Sequence, residues 1–238
     1  KRVDDAVKKA VRWLASCQNA DGSFKGMYAS SHKMGYTALG LLAMLKGGVS
    51  KKSRAVRLAL DYMLKQQLYY TYDVALALMV LEALYAPSQK EALKRAKSYH
   101  TVLQEQVRSR MPGKLKLWVQ KAVKYLAECQ AKSGLWTYSK TTGSSRGDLS
   151  NTQYALLGFY AAKNMGFKVP YRPIVRLVEY LLAAQEEKGP EVEWFPVPAA
   201  DFDFRQLRQL ERDFHRRLRE MPEKERVRTR TVVIDDPY

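Results

Sequence analysis

Lys121-Ala-Val-Lys-Tyr125-Leu-Ala-Glu-Cys129-Gln130-Ala-Lys-Ser-Gly134-Leu-Trp136 carries the pattern from which the architecture follows. A segment rich in Ala and Leu runs up to Cys129-Gln130. A turn containing glycine comes next, and then an aromatic residue. Ala10-Val-Arg-Trp13-Leu-Ala-Ser-Cys17-Gln18-Asn-Ala-Asp-Gly22-Ser-Phe24 repeats the pattern. Two shorter copies, Leu60-Asp-Tyr62-Met-Leu-Lys-Gln-Gln67 and Val178-Glu-Tyr180-Leu-Leu-Ala-Ala-Gln185, keep the aromatic five residues before the glutamine. The glutamines at 18, 67, 130 and 185 are separated by 49, 63 and 55 residues. Recurrence at such intervals marks a chain of supersecondary units, none of which can bury its apolar face alone.

A second apolar segment follows three of these copies: Tyr36-Thr-Ala-Leu-Gly-Leu-Leu-Ala-Met-Leu45, then Asp73-Val-Ala-Leu-Ala-Leu-Met-Val-Leu-Glu-Ala-Leu84, then Asn151-Thr-Gln-Tyr-Ala-Leu-Leu-Gly-Phe-Tyr-Ala-Ala162. Helices apolar on every side are buried helices. The segments before them are amphipathic, with Lys8, Lys9 and Arg12 on one face. The expectation is an all-α protein of repeated helix hairpins in two layers, one helix of each hairpin inside and one outside. Ser88 to Arg110 reads as one further helix, stopped by Met111-Pro112-Gly113. Cys17 and Cys129 hold the same place in two different copies. They are therefore expected far apart, each packed as a small hydrophobe rather than bridged.

Gln130-x-x-x-Gly134-x-Trp136 resembles the Gln-Trp repeat motif of the squalene-hopene and oxidosqualene cyclases, and Gln18-x-x-x-Gly22-x-Phe24 is the same motif with Phe for Trp. The repeat organisation is similar to that of the wider prenyltransferase and squalene-cyclase repeat group over roughly residues 1 to 190. The resemblance implies a complete or partial α/α toroid. It also implies that Gln18, Gly22, Phe24, Gln130, Gly134 and Trp136 are structural, each Gln closing a helix end and tying neighbouring hairpins together. Residues 1–190 then form the toroid-like repeat domain. Residues 191–238 form an appendage: a stiff linker at Trp194-Phe-Pro196-Val-Pro198, a basic helix from about Arg205 to Glu220, and a tail. In that helix Leu207, Leu210, Phe214, Leu218 and Met221 make one apolar seam.

The resemblance also locates where cyclase chemistry should lie. Those cyclases protonate an alkene with an acid in an Asp-x-Asp-Asp-Thr-Ala motif. The matching stretch here is Asp148-Leu149-Ser150-Asn151-Thr152-Gln153, with Ser150 at the position of the proton donor. Serine cannot protonate an alkene, so cyclisation by that route is not expected. Ser150-x-x-Gln153 also fits a capping box for the following helix. The prenyltransferases hold zinc through Asp, Cys and His. With His32, His100 and His215 and no Cys–His spacing, no metal site is expected, nor any cofactor. The chain has no nucleotide-binding glycine loop and no nucleophile elbow.

In a toroid the starts of the inner helices gather at one mouth, where helix dipoles and free N–H groups converge. Tyr36, Tyr72, Asp73, Asp148 and Asn151 fall at these starts and are the expected ligand-binding set. Asp73 and Asp148 are the only catalytic candidates, each equally explained as a helix cap. Tyr28, Tyr69, Tyr70 and Tyr138 would add aromatic walls. The expected function is a non-catalytic repeat protein that binds a ligand, apolar or polar-headed, or a partner at this mouth. The alternative is a divergent toroid enzyme handling an isoprenoid or, through paired carboxylates, a saccharide.

The net charge of +17 favours anionic partners in general, and ten of the basic residues lie between Arg205 and Arg230. The C-terminal helix reads first as an arm that docks on the hairpin array; the partner expectations are an apolar or polar-headed small molecule, and a protein partner or second copy meeting the arm, with nucleic acid and anionic membrane not favoured. The longest apolar run, Val74 to Leu81, is too short to span a bilayer. No secretory signal is visible, so the cytoplasm is the default compartment.

Overall fold

A computed structural model of the chain describes residues 2–86, 107, 110–140, 147–185 and 216. These residues form seven α-helices and no strand. In chain order they are α1 (Arg2–Ser16), α2 (Lys33–Lys46), α3 (Arg54–Leu64), α4 (Thr71–Tyr85), α5 (Gly113–Glu128), α6 (Leu149–Asn164) and α7 (Tyr171–Ala184). The helix expected over 88–110 lies outside the described residues apart from Val107 and Arg110, and so do the 194–198 linker, the seam of the 205–220 helix and the tail. The chain divides into two compact units, Lys1–Ile174 and Val175–Tyr238. The boundary expected at 190 falls among undescribed positions.

In the first unit α4 is the centre of the packing. It lies against α2 and α6, with α3 on α2, α5 on both α4 and α6, and α1 on α2. Nine residues of α4, from Thr71 to Leu81, are buried. The three helices that the sequence marks as apolar on all sides are α2, α4 and α6. Each begins two or three residues before its apolar run, at Lys33, Thr71 and Leu149.

The amphipathic helices share one register, counted back from their glutamines. Positions eleven, eight and four before Gln are Val7, Ala10 and Leu14 in α1. They are Val56, Ala59 and Met63 in α3, and Val119, Ala122 and Leu126 in α5. All three positions are buried in α3 and in α5. No residue of α1 is buried.

The two complete glutamine motifs fold alike. Gln18 pairs with Phe24, and Gln130 with Trp136, as single antiparallel bridges. The intervening turns place Gly22 at φ 95° and Gly134 at φ 93°, the left-handed region where a side chain is strained. Gln18 Nε2 donates to Gly22 O at 3.2 Å and to Ala55 O, in the first turn of α3, at 2.9 Å. Gln130 Nε2 donates to Gly134 O and to Pro173 O, in the first turn of α7, each at 2.7 Å. Each glutamine thus closes its own turn and fastens the start of the next amphipathic helix. The Trp136 indole, fully buried, donates to Leu126 O at 2.7 Å near the end of α5. Helices α2 and α6 also end alike, in Schellman turns: Val49 N donates to Met44 O and Phe167 N to Ala162 O.

Cys129 is buried and Cys17 half-buried, and neither is bridged. Burial pushes the Cys129 thiol up, which keeps it protonated. No described helix is long and apolar enough to cross a membrane.

Candidate functional site

The segment after the second glutamine motif gathers the starts of α4 and α6. Thr71, at the start of α4, donates through N to Tyr138 O at 2.8 Å and through Oγ1 to Thr137 O at 2.6 Å. Two residues earlier in the same segment, Trp136 O accepts from Asp148 N at 3.0 Å and Trp136 N donates to Thr152 Oγ1 at 2.9 Å, both at the start of α6. Tyr125 adds a hydroxyl donated to Tyr69 O. Aromatic rings then line the junction. Tyr72 lies 4.4 Å from Tyr154 and 6.1 Å from Tyr138, centroid to centroid.

The start of α2 joins through Asp73. This carboxylate, 5% exposed, sits in the first turn of α4. Its Oδ1 lies 3.0 Å from His32 Nδ1, and it accepts from the backbone N–H of Gly35. Asp73 therefore caps α2, a helix other than its own. The approach needs Gly35, because a Cβ there would lie 2.3 Å from Asp73 Oδ1. Burial pushes the Asp73 carboxyl up, against hydrogen bonds from His32 and Gly35 and the charge of His32, which pull it down. The other face of the pair is open. The His32 side chain is 33% exposed, and its ring lies 4.3 Å from Tyr70, which in turn meets Tyr69 edge-on at 4.7 Å.

Asp148 is differently employed. It is the N-cap of α6, its Oδ1 accepting from Asn151 N at 2.7 Å and from Ser150 Oγ at 2.6 Å, its Oδ2 from Asn151 Nδ2 at 2.7 Å. Partial burial works to raise this carboxyl, but the hydrogen bonds from Asn151 and Ser150 outweigh it and hold it below the usual carboxylate range. The cap expected at Ser150 is thus two residues earlier. The physical reason is that aspartate caps as well as serine and adds a charge at the positive helix end. Asn151 is fully buried, and its Oδ1 accepts no hydrogen bond from a described residue.

Of the five residues expected at the mouth, Tyr72, Asp73, Asp148 and Asn151 lie at the joined starts of α4 and α6. Tyr36 lies against the loop before α2, the loop that ends at His32: a Cβ added to Gly26 would fall 1.7 Å from its hydroxyl. Asp73 and Asp148 are held by separate partners. His32, which falls at an expected inner-helix start, belongs to the cluster, and so does Tyr154, which was not expected there. What the sequence does not give is the pairing of His32 with Asp73, 41 residues away.

Compared with protein-family models, curated proteins and solved structures, the chain matches none.

The arrangement offers one solvent-facing imidazole oriented by a buried carboxylate, aromatic faces, and a buried amide oxygen with an unused acceptor site. No cluster of His, Cys, Asp or Glu suited to a metal ion occurs among the described residues.

Proposed function

We propose that this chain is a squalene-cyclase-like repeat protein, a two-layered and at least partial α/α toroid, that binds a polar-headed ligand where the starts of α2, α4 and α6 meet. One observation carries the reading: His32 and Asp73 join α2 to α4 in the same region where Tyr70, Tyr72, Tyr138 and Tyr154 present ring faces. The polar pair suits a ligand head, and the rings suit an apolar or flat body. Asn151 Oδ1 supports it, because a buried acceptor without a donor costs about 1–3 kcal/mol and is retained only for a reason. Native mass spectrometry of the purified protein tests the proposal. A bound small molecule that is lost from both Tyr72→Ala and His32→Ala, with both variants folded, is the expected result. A molecule retained equally by both variants, or none at all, would count against it.

A catalytic second reading rests on the same His32–Asp73 pair. An imidazole held through Nδ1 by a buried carboxylate has the half-arrangement of a proton-transfer site. It would make the chain a divergent enzyme for an isoprenoid or a saccharide. It does not restore cyclase chemistry, because Ser150 spends its hydroxyl on Asp148. Squalene and oxidosqualene are expected back unchanged after incubation, checked by gas chromatography.

A further inference from the structure

Hairpins α1–α2 and α5–α6 end in the same kind of turn, but one residue of it differs. After α2 the chain reads Gly47-Gly48-Val49, and after α6 it reads Met165-Gly166-Phe167. Gly48 and Gly166 are both left-handed, at φ 91° and 83°. Seven residues before its glutamine, α1 has Val11 and α5 has Val123. Val11 lies so close to the first turn that a Cβ on Gly47 would fall 2.3 Å from its Cγ2. At the position of Gly47 the second turn has Met165, so α5 cannot approach it as α1 approaches Gly47. A cavity of about 650 Å³ lies there instead, with Val123 and Met165 both in its wall.

The wall is built from two directions. On α5, Lys116, Gln120, Val123, Lys124 and Ala127 line it, at steps of 4, 3, 1 and 3 that make one stripe of a helix. This stripe runs beside the one that buries Val119, Ala122 and Leu126. Across from it lie the turn after α6 and the connection to α7, residues 165–170, and Val107 adds a further buried apolar side chain. The interior is therefore apolar. Its charges are Lys116, Lys124 and Lys168, and no carboxylate occurs among the described residues that line it. Lys124 and Lys168 are exposed. A lysine can lay its stem along an apolar wall while its ammonium stays in water, which puts positive charge at the rim of a greasy hollow. Glu128 lies 3.9 Å from Lys124, but its nearer cation is Lys140 at 2.8 Å, and such exposed pairs are weak.

We propose that this cavity binds a single-chain amphiphile, its apolar chain held between α5 and the turn after α6 and its anionic head at Lys116, Lys124 and Lys168. The volume lies in the range of small-molecule sites, roughly 300–1,000 Å³. The arrangement of an apolar interior under a cationic rim selects the ligand: a neutral chain leaves the lysines unused, and a cationic head meets repulsion. The site is separate from the ligand mouth. The mouth lies at the start of α6 and the cavity beyond its end, roughly 24 Å away along a helix of 16 residues. The two proposals therefore stand or fall independently.

Isothermal titration calorimetry of the full chain tests it, with decanoate and decyl phosphate as probes, each below its micelle concentration. At least one should bind saturably at a single site, about tenfold or more tighter than 1-decanol or decyltrimethylammonium, and the tighter of the two names the head group. Shortening the chain should weaken binding by about fourfold per methylene removed. Lys124→Glu and Lys168→Glu, both at exposed positions, should each weaken binding about tenfold or more. Lys121→Glu is the control. It is exposed on the same helix, lies off the cavity stripe and changes the net charge equally, so it should weaken binding by less than about twofold. Ala127→Phe should fill the cavity and abolish binding, with circular dichroism showing that the variant folds; should it not fold, the lysine variants decide. His32→Ala should bind as wild type does. No saturable binding of either anionic probe overturns the proposal. So does equal binding of the cationic amphiphile, or binding kept by both lysine variants or by folded Ala127→Phe. Equal loss in Lys121→Glu, or loss in His32→Ala, overturns it as well, by placing the ligand elsewhere.

Discussion

Gln130 makes its two hydrogen bonds from a single nitrogen, both at 2.7 Å, whereas Gln18 makes the same two at 3.2 and 2.9 Å. A net hydrogen bond is worth about 0.5–1.5 kcal/mol, more when its loss strands a buried partner. Gln130→Ala is therefore expected to cost about 1–3 kcal/mol, and Gln18→Ala less, in urea unfolding of the two variants. These residues were legible because the motif is local: Gln, Gly and aromatic lie within seven residues, and the chain quotes them twice. Asp148 was half legible. Its sequence position fits both an acid and a cap, and only the bonds to Asn151 and Ser150 separate the two. As a cap it should contribute about 0.5–2 kcal/mol, lost in Asp148→Ala. The sign with pH follows from its lowered carboxyl. The folded state prefers the anion more than the unfolded state does, so the contribution is fully present above the ordinary value of 3.8 and fades as pH falls through the folded value. Wild type and Asp148→Ala should accordingly converge in stability in acid. A gap that stays constant down to pH 2 would mean that the charge is not what the cap uses.

Between helices, what matters is how closely they approach, and a sequence does not state that directly. The composition of α2, α4 and α6 announced buried helices, and all three are the most heavily packed elements of the first unit. It did not announce that Asp73 would cap α2 rather than α4, because that depends on the two helices meeting at Gly35. Two effects of opposite sign compete there. Alanine in a helix interior is better than glycine by about 1 kcal/mol, so propensity alone predicts that Gly35→Ala stabilises the protein. A Cβ 2.3 Å from Asp73 Oδ1 cannot be accommodated without moving the carboxylate off His32 and off the N–H it caps. An unpaired buried carboxylate costs several kcal/mol or must take up a proton. The clash outweighs the propensity, and Gly35→Ala is expected to lower the midpoint of thermal unfolding. A rise would show that α2 and α4 can part without penalty, and the His32–Asp73 contact would lose its standing as a fixed feature.

Across the whole molecule the repeat makes a sharper test than any single contact, because it supplies the same substitution in three places. Val7, Val56 and Val119 are one residue of the repeat, read three times. Removing two buried methyl groups costs roughly 0.8 kcal/mol each in transfer, plus the cavity they leave. Val56→Ala and Val119→Ala should each destabilise by about 2 kcal/mol, since both positions are closed by neighbouring helices. Val7→Ala should cost under about 0.5 kcal/mol in dilute solution, where its side chain remains 42% exposed. The comparison separates two properties that sequence reading runs together. Periodicity identifies the face a helix means to bury, and identically so in α1, α3 and α5. Whether the face is buried depends on a neighbour that lies elsewhere in the chain or on another molecule. Equal losses at all three positions would mean that the face of α1 is covered in solution as those of α3 and α5 are.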